Sequence, residues 1–308
     1  MLAVLTGGTG GAKLIQGLSY EIDPAALTLI CNTADDFVLH GLYVSPDIDT
    51  IMYSLAGIGD EVKGWGVRGD TFAALEQFEK YGCESWFKLG DKDLATHITR
   101  TRLLREGLKL SAVTDRLCSS LGLTAKILPM SDDRVETRVQ TFAGEISFQE
   151  YFVKERWQPE VKRVYYAGSE TCRPAPGAIE AIEQASAVII CPSNPVTSIG
   201  PILATPGIRK ALVETEASVI GVSPIIGQSA VSGPAHKLMS AMDAEPSAAG
   251  VARTYADFVD VFLIDREDDS LRSGIEALGI TVVPTSILMN SLSAKRRLAR
   301  EVMALVAK

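Results

Sequence analysis

Apolar positions fall along this chain in two rhythms, and the rhythms divide it. Residues 2–6 (LAVLT), 27–31 (LTLIC), 187–191 (AVIIC), 218–222 (SVIGV), 259–264 (VDVFLI) and 281–283 (TVV) are short, mostly apolar runs rich in β-branched residues. Such runs predict strands buried on both faces, as in a parallel sheet covered by helices. Helical patterns separate them at 12–18, 176–183, 205–214 and 290–307. The last reads as an amphipathic closing helix with Lys295, Arg296, Arg297 and Arg300 on its wet side. One helix between 2–6 and 27–31 is βαβ spacing, which predicts a parallel, right-handed unit.

The middle of the chain changes rhythm. From 50 to 122 the spacing predicts helices near 49–57, 70–80, 91–106 and 111–121. Short strands follow at 126–128, 136–142 and 145–148, the last two joined through Ala143-Gly144 as a hairpin. A strand at 161–166 resumes the first rhythm. The expected architecture is α/β: a Rossmann-like parallel sheet flanked by helices, built from 1–59 and 161–308, with an inserted α+β sub-domain at 60–160.

Composition changes this picture little. With 308 residues, 46% hydrophobic and 22% charged, the chain can bury a sizeable core. A net charge of −8 without a basic patch argues against duplex nucleic acid as a partner. The five cysteines (31, 83, 118, 172 and 191) are scattered, odd in number and lack a CxxC pair. That points to a reducing compartment rather than a disulfide scaffold or structural zinc. No apolar run approaches transmembrane length, and the N-terminus enters a strand with no basic leader. A cytoplasmic enzyme without a membrane partner is expected.

Ligands of open parallel sheets sit beyond the carboxyl ends of the strands. Four loops fit that position: 7–11, 32–49, 192–195 and 223–227, all rich in Gly, Pro, Ser, Asn or Asp. The first, GGTGGAK, is neither a Walker loop nor GxGxxG, because Ala12 and Lys13 stand where those motifs need glycine. Its physics survives. Gly8, Gly10 and Gly11 let backbone N–H groups approach a phosphate, the following helix favours an anion, and Thr9 and Lys13 add a hydroxyl and a charge. The plain alternative is a tight turn, which needs fewer glycines.

The second loop, NTADDFVLHGLYVSPDIDT, holds Asp35, Asp36, Asp47 and Asp49 with almost no basic residue. Asp47 or Asp49 could cap the helix that follows, but four carboxylates exceed any capping need. Mg²⁺ sites use one or two carboxylates with phosphate oxygens, and Asp36 and Asp49 are the expected metal-facing pair. His40 reads as a structural hydrogen-bonder. Trp86 and Lys88, before an acidic helix start, suit a flat aromatic ligand with polar edges, as does Trp65 between two glycines. No Ser-His-Asp order, HExxH or EF-hand pattern points to a covalent nucleophile or another metal class.

GGTGGAKL, NTADDF, LHGLYVSPDIDTIMY, GWGVRGDT, FKLGDKDLATH, ILPMSDDRVET, PSNPVTSIGPILATPGI and GVSPIIG, in this order, resemble the 2-phospho-L-lactate transferase family of coenzyme F-420 biosynthesis. The resemblance implies a Mg²⁺-dependent, Rossmann-like homodimer. It implies transfer of a phospho-lactyl or phosphoenolpyruvyl group from a guanosine diphosphate-linked donor to 7,8-didemethyl-8-hydroxy-5-deazariboflavin. GMP and F-420-0, or its dehydro form, would be the products. It assigns Asp49 and Lys88 to the deazaflavin, with Trp65 and Trp86 beside the ring. Residues 8–11 would hold the diphosphate, and Ser193 and Asn194 would help on the nucleotide side. The competing reading is a non-catalytic UDP-sugar-binding regulator with the same core, for which GWGVRGDT and FKLGDKDLATH would have no evident use. An NAD-binding oxidoreductase is weaker, for want of the third glycine.

Overall fold

The computed structural model describes residues 1–227, 229–230 and 233–306, with backbone alone at 229–230. β1 (Leu2–Thr6) enters α1 (Gly8–Ser19), which returns the chain to β2 (Leu27–Cys31). The two strands pair in parallel from Leu2 opposite Leu27 to Thr6 opposite Cys31. Next come the hairpin β3 (Phe37–Leu39) and β4 (Leu42–Val44), then α2 (Pro46–Leu55), α3 (Ala73–Lys80), α4 (Asp91–Arg105) and α5 (Leu110–Ser120).

β5 (Lys126–Pro129), β6 (Glu136–Thr141), β7 (Glu145–Ser147) and β8 (Val161–Ala167) follow. The second half holds α6 (Ala178–Glu183), β9 (Ala187–Ile190), α7 (Ile199–Ala204), α8 (Ile208–Glu214) and β10 (Ser218–Val222). It ends with β11 (Ile225–Ile226), β12 (Ser229–Ala230), α9 (Ala235–Ser240), α10 (Ala248–Thr254), β13 (Val261–Asp265), α11 (Arg272–Glu276), β14 (Thr281–Thr285) and α12 (Leu292–Val306).

The central sheet has the order β5-β2-β1-β9-β10-β13-β14, parallel throughout. The strand order reverses between β1 and β9, and there the chain leaves in opposite directions and opens a crevice. Apolar side chains from the two faces feed two cores. One holds Ala3, Leu5, Val188 and Ile190; the other holds Val4, Leu29, Ile189 and Leu263. Among the described residues no helix is long and apolar enough to cross a membrane.

Four expectations change. β5, assigned to the 60–160 insertion, pairs with β2 as the edge of the central sheet, Thr28 facing Lys126. β8, assigned to the core, pairs antiparallel with β6 in the small sheet β7-β6-β8. Long-range pairing decides both, and local pattern does not encode it. α2 begins at Pro46, so Ser45 occupies the cap position and both Asp47 and Asp49 lie in the first turn. Pro46 supplies the reason: its fixed φ suits the first helical position.

Lys295 is turned inward, 8% exposed, and its Nζ donates to Gln16 Oε1 at 2.5 Å. Gln16 Nε2 in turn donates to Glu61 Oε1 at 2.9 Å, which ties the 57–66 loop to α1 and α12. Burial lowers the Lys295 pKa.

Candidate active site

The carboxyl ends of β1, β2, β9, β10 and β14 open into one cleft of about 670 Å³. All four predicted loops contribute to its wall, together with a fifth, 287–290 after β14, that sequence reading passed over.

α1 starts at the cleft without a side-chain cap and without an acidic residue in its first turn. The Gly8 N–H is held by Asp47, and the N–H groups that follow it in the first turn are the ones that can meet an anion. Gly8 takes φ +63°, a conformation that disfavours side chains. A Cβ at Gly10 would stand 2.2 Å from the Pro192 carbonyl oxygen, so the loop packs directly on the β9 exit. Ser193 Oγ donates to the Gly7 carbonyl at 2.7 Å and binds the two loops together.

Gly8, Thr9, Gly10, Lys13, Ser193 and Asn194 all line the cleft. Gly11 lies behind them, where a Cβ would meet Thr6 Oγ1 at 2.1 Å. Ser193 is engaged with the glycine loop. The Asn194 side chain caps its own turn by accepting from the N–H groups of Val196 (2.9 Å) and Thr197 (3.2 Å).

The four aspartates are all buried, but they do not form one group. Asp35 and Asp47 line the cleft, bridged by Asn32 Nδ2 at 3.1 and 2.9 Å. Asp36 is absent from the cleft wall, and it accepts from Ser45 Oγ at 2.7 Å. Asp49 lines the cleft from α2, but both its oxygens are held by the fully buried Arg100. The structure thus brings Asp47 together with Asp35 on the wall, and Asp49 together with Arg100.

Burial raises the pKa of Asp35 and Asp36, and the Asp47 charge adds to both. Burial also raises Asp47, to about 6, against hydrogen bonds from Asn32 and the Gly8 N–H. Among the described residues Asp35 Oδ1 and Asp36 Oδ1 are buried without a partner. Asp35, on the cleft wall, is thus an oxygen donor in want of a cation, and Asp47, tied to it through Asn32, stands against the glycine loop. They fit a hard divalent ion shared with phosphate oxygens.

Asp49, Asp93 and His97 also place ligand atoms within 4.8 Å of one another. There the Arg100 guanidinium already supplies the positive charge, which makes this cluster the poorer fit.

A pH dependence follows. Asp47 has a folded pKa above its unfolded value, so the folded state binds more protons between about pH 4 and about pH 6. In chelator, the Asp47 contribution to stability is expected to be most favourable below about pH 4. It should fall as pH rises through that window. The Tm of the parent minus that of Asp47→Asn, followed across pH, checks this, and a difference that rises over the window refutes it.

Two of the quoted motifs prove to be interlocking caps. Asp70 accepts from the backbone N–H of Lys92 (2.8 Å) and Asp93 (3.0 Å) and so caps α4 from a distance. Asp91 accepts from the N–H of Ala73 (3.1 Å) and Ala74 (3.0 Å) and caps α3 in return. Gly90 is required because a Cβ there would strike the Asp70 carboxylate at 2.2 Å.

Trp65, Trp86 and Lys88 line the cleft. Phe37 of the hairpin stacks on Trp86 at 5.9 Å and meets Phe87 edge-on at 4.8 Å. His40 occupies the hairpin turn, with φ 51° followed by Gly41 at φ 74°, and stacks on Phe78. That is a structural post. Phe148, Phe152 and Arg156 also line the cleft, unseen in the sequence because nothing local marks them as cleft residues. Asp93, His97 and Tyr53 were also missed as site residues.

The 2-phospho-L-lactate transferase CofD family matches residues 2–284. A phosphoenolpyruvate transferase of Streptomyces griseus subsp. griseus is 44% identical, covering 99% of this chain and 98% of its own. A 2-phospho-L-lactate transferase of Methanosarcina mazei is 41% identical, covering 97% and 98%. Among solved structures, a UPF0052-family protein from Bacillus halodurans superposes with a TM-score of 0.67 at 17% identity, covering 98% of each chain, a likeness of fold. The glycine loop at the β1/β9 crevice, the acidic wall beside it and a match across nearly the whole length agree, and the chain belongs to the 2-phospho-L-lactate transferase CofD family.

Proposed function

We propose that this protein transfers a phospho-lactyl or phosphoenolpyruvyl group from a guanosine diphosphate-linked donor to 7,8-didemethyl-8-hydroxy-5-deazariboflavin. GMP leaves, and coenzyme F-420-0 or its dehydro form is made. One observation carries the reading furthest. Asp47 lies against the glycine loop, close enough that a Cβ on Gly7 would stand 2.5 Å from its Oδ2. A diphosphate on that loop would face a carboxylate, and the two anions need a cation between them. Relatives similar over the full length carry names of both transferases, which supports the reaction class. The UDP-sugar regulator gains no support from them.

Asp35 and Asp47 are the residues we assign to Mg²⁺, in place of the pair Asp36 and Asp49. Bound there, the ion would neutralise charge on the diphosphate as GMP departs. The chain itself does the rest. The α1 N–H groups and Lys13 hold phosphate oxygens, and Asn194 stands on the nucleotide side. Trp65, Trp86 and Lys88 take the deazaflavin ring, with Asp49 at its polar end. Much of the rate comes from holding the attacking hydroxyl in line with phosphorus.

Mass spectrometry of the product, with each donor offered in turn and Mg²⁺ present, tests the proposal. Formation of F-420-0 or its dehydro form with release of GMP is expected. Failure with every such donor would sink it. Lys88→Ala is expected to raise the KM for the deazaflavin about tenfold or more while the donor KM moves less, since one charged contact is worth about 1.5–3 kcal/mol. Steady-state kinetics with each substrate varied would reveal the opposite pattern if the two subsites were reversed.

A further inference from the structure

α4 buries an unusual stripe. Asp93, His97 and Arg100 lie at i, i+4 and i+7 and are all buried, so one face of the helix turns charge inward. They meet Asp49 and Tyr53, which lie at i and i+4 on α2. Arg100 is fully buried, holds both oxygens of Asp49, and stands with Nη1 3.3 Å from His97 Nδ1.

A guanidinium can only donate, so Nδ1 is the acceptor and the neutral imidazole carries its proton on Nε2. Nε2 lies 3.2 Å from Asp93 Oδ1. The Tyr53 hydroxyl donates to the same oxygen at 2.7 Å. Burial, then the charges of Asp49 and Asp93, raise the Tyr53 pKa, so it stays a donor. Both contacts fall on Oδ1, and Oδ2 takes neither. Asp93, His97 and Tyr53 line that cleft, whereas Arg100 is absent from its wall.

We propose that Asp93 receives the proton of the acceptor's attacking hydroxyl, and that His97 is a positioning residue whose tautomer Arg100 sets. The proposal rests on the transfer reading above. In the step, the hydroxyl O–H bond breaks and its proton passes to Asp93 Oδ2. The oxygen's freed electron pair forms the bond to phosphorus. The bond from phosphorus to the GMP oxygen breaks, and GMP leaves with that pair. Asp93 then returns the proton to solvent.

A loose phosphoryl transition state keeps the nucleophile's proton until late, so an acceptor held in place suffices without a raised pKa. Burial acts to raise Asp93, but His97, Tyr53 and Arg100 outweigh it and hold the carboxyl ionised. The groups facing it are Tyr53 and Asp49 from α2, His97 and Arg100 from α4, and Asp70 through the Asp93 backbone N–H.

Asp93→Asn, assayed beside the parent protein with Mg²⁺, donor and deazaflavin, is expected to lower kcat about a hundredfold or more. Both KM values should stay within about threefold. Its residual rate should climb about tenfold per unit from about pH 7 to about pH 9, as hydroxide replaces the lost acceptor, while the parent stays flat. His97→Gln, whose amide reaches the Nε2 place, should keep within about tenfold of the parent, and His97→Ala should fall towards the Asp93→Asn rate. Tyr53→Phe, expected to lose about tenfold in kcat at unchanged KM, carries the test should Asp93→Asn not fold.

Parent-like turnover in Asp93→Asn, a loss with no pH slope, or recovery at high Mg²⁺ would each overturn the assignment while leaving the transfer reading intact. The last would mark Asp93 as a metal ligand. An inactive parent would overturn both.

Discussion

Asp47→Asn should abolish transfer and yet leave the metal-free protein more stable. Asparagine keeps the shape and an acceptor oxygen for Asn32 Nδ2, now 2.9 Å from Asp47 Oδ2. It removes the charge beside the glycine loop. Losing one carboxylate of a shared Mg²⁺ site should cost about 4 kcal/mol of transition-state stabilisation, roughly a thousandfold in kcat.

The stability effect has the other sign. Burial raises the Asp47 pKa to about 6 in the fold from its ordinary 3.8, so its charge opposes folding at neutral pH by between about 1 and about 3 kcal/mol. The variant escapes that cost above about pH 6 and gains nothing below about pH 4, where both side chains are neutral. In chelator at pH 8 its Tm should therefore exceed the parent's by a few degrees, and Mg²⁺ should raise the parent's Tm but not the variant's. Calorimetry with and without Mg²⁺ at both pH values reads all of this. A lower Tm for the variant in chelator at pH 8 would show that the carboxylate is compensated by something other than a bound cation.

The sequence made such a centre visible because charge this dense beyond a strand has few innocent uses. It could not say which aspartates share a wall. Asp47 and Asp49 are two apart in α2 and so point about 200° apart around the helix axis. One therefore faces the glycine loop and the other faces Arg100, a residue 51 positions away in the chain. A helix start placed three residues too late hid that divergence.

The central strands were legible because both faces are buried, which leaves an apolar run no polar alternate. β5 was expected as a strand at 126–128 but placed in the insertion, because KILP is short and begins on an exposed lysine, so only its pairing with β2 makes it a core strand. The β3–β4 hairpin escaped because its turn is His40-Gly41, where histidine takes a positive φ that turn rules assign to Asn or Asp. The α4 stripe was passed over. Asp93, His97 and Arg100 stand at helical spacing, but nothing local says which way that face turns, and only the facing α2 shows them buried.

Gly10→Ala should both destabilise the fold and spoil the phosphate-facing loop. In a free helix the change favours folding, by about 1 kcal/mol. Here the new Cβ would stand 2.2 Å from the Pro192 carbonyl oxygen and 3.4 Å from its carbon, and both are backbone. Relief requires α1 to move away from the β9 exit by roughly 1 Å, because real Cβ contacts stay beyond 3.0 Å. The helix cannot move alone: Leu14, Ile15 and Leu18 are fully buried beneath it, and Gly17 packs on the Lys295 backbone of α12.

Moving it also parts Ser193 Oγ from the Gly7 carbonyl and opens the crevice where the donor's phosphates would sit. A destabilisation of about 2–4 kcal/mol is expected, with the propensity gain lost inside it. Affinity for GDP, the donor's nucleotide half, should fall about tenfold or more, because the N–H groups no longer converge on one anion. Gly57→Ala is the control. Gly57 has φ +68° and no atom within 4 Å of its Cβ position, so strain of about 1 kcal/mol should be its whole cost. Urea midpoints and calorimetric GDP titrations of the two variants separate close packing from backbone strain. Equal midpoints would mean the β1–α1 loop is not seated on Pro192 as the fold has it.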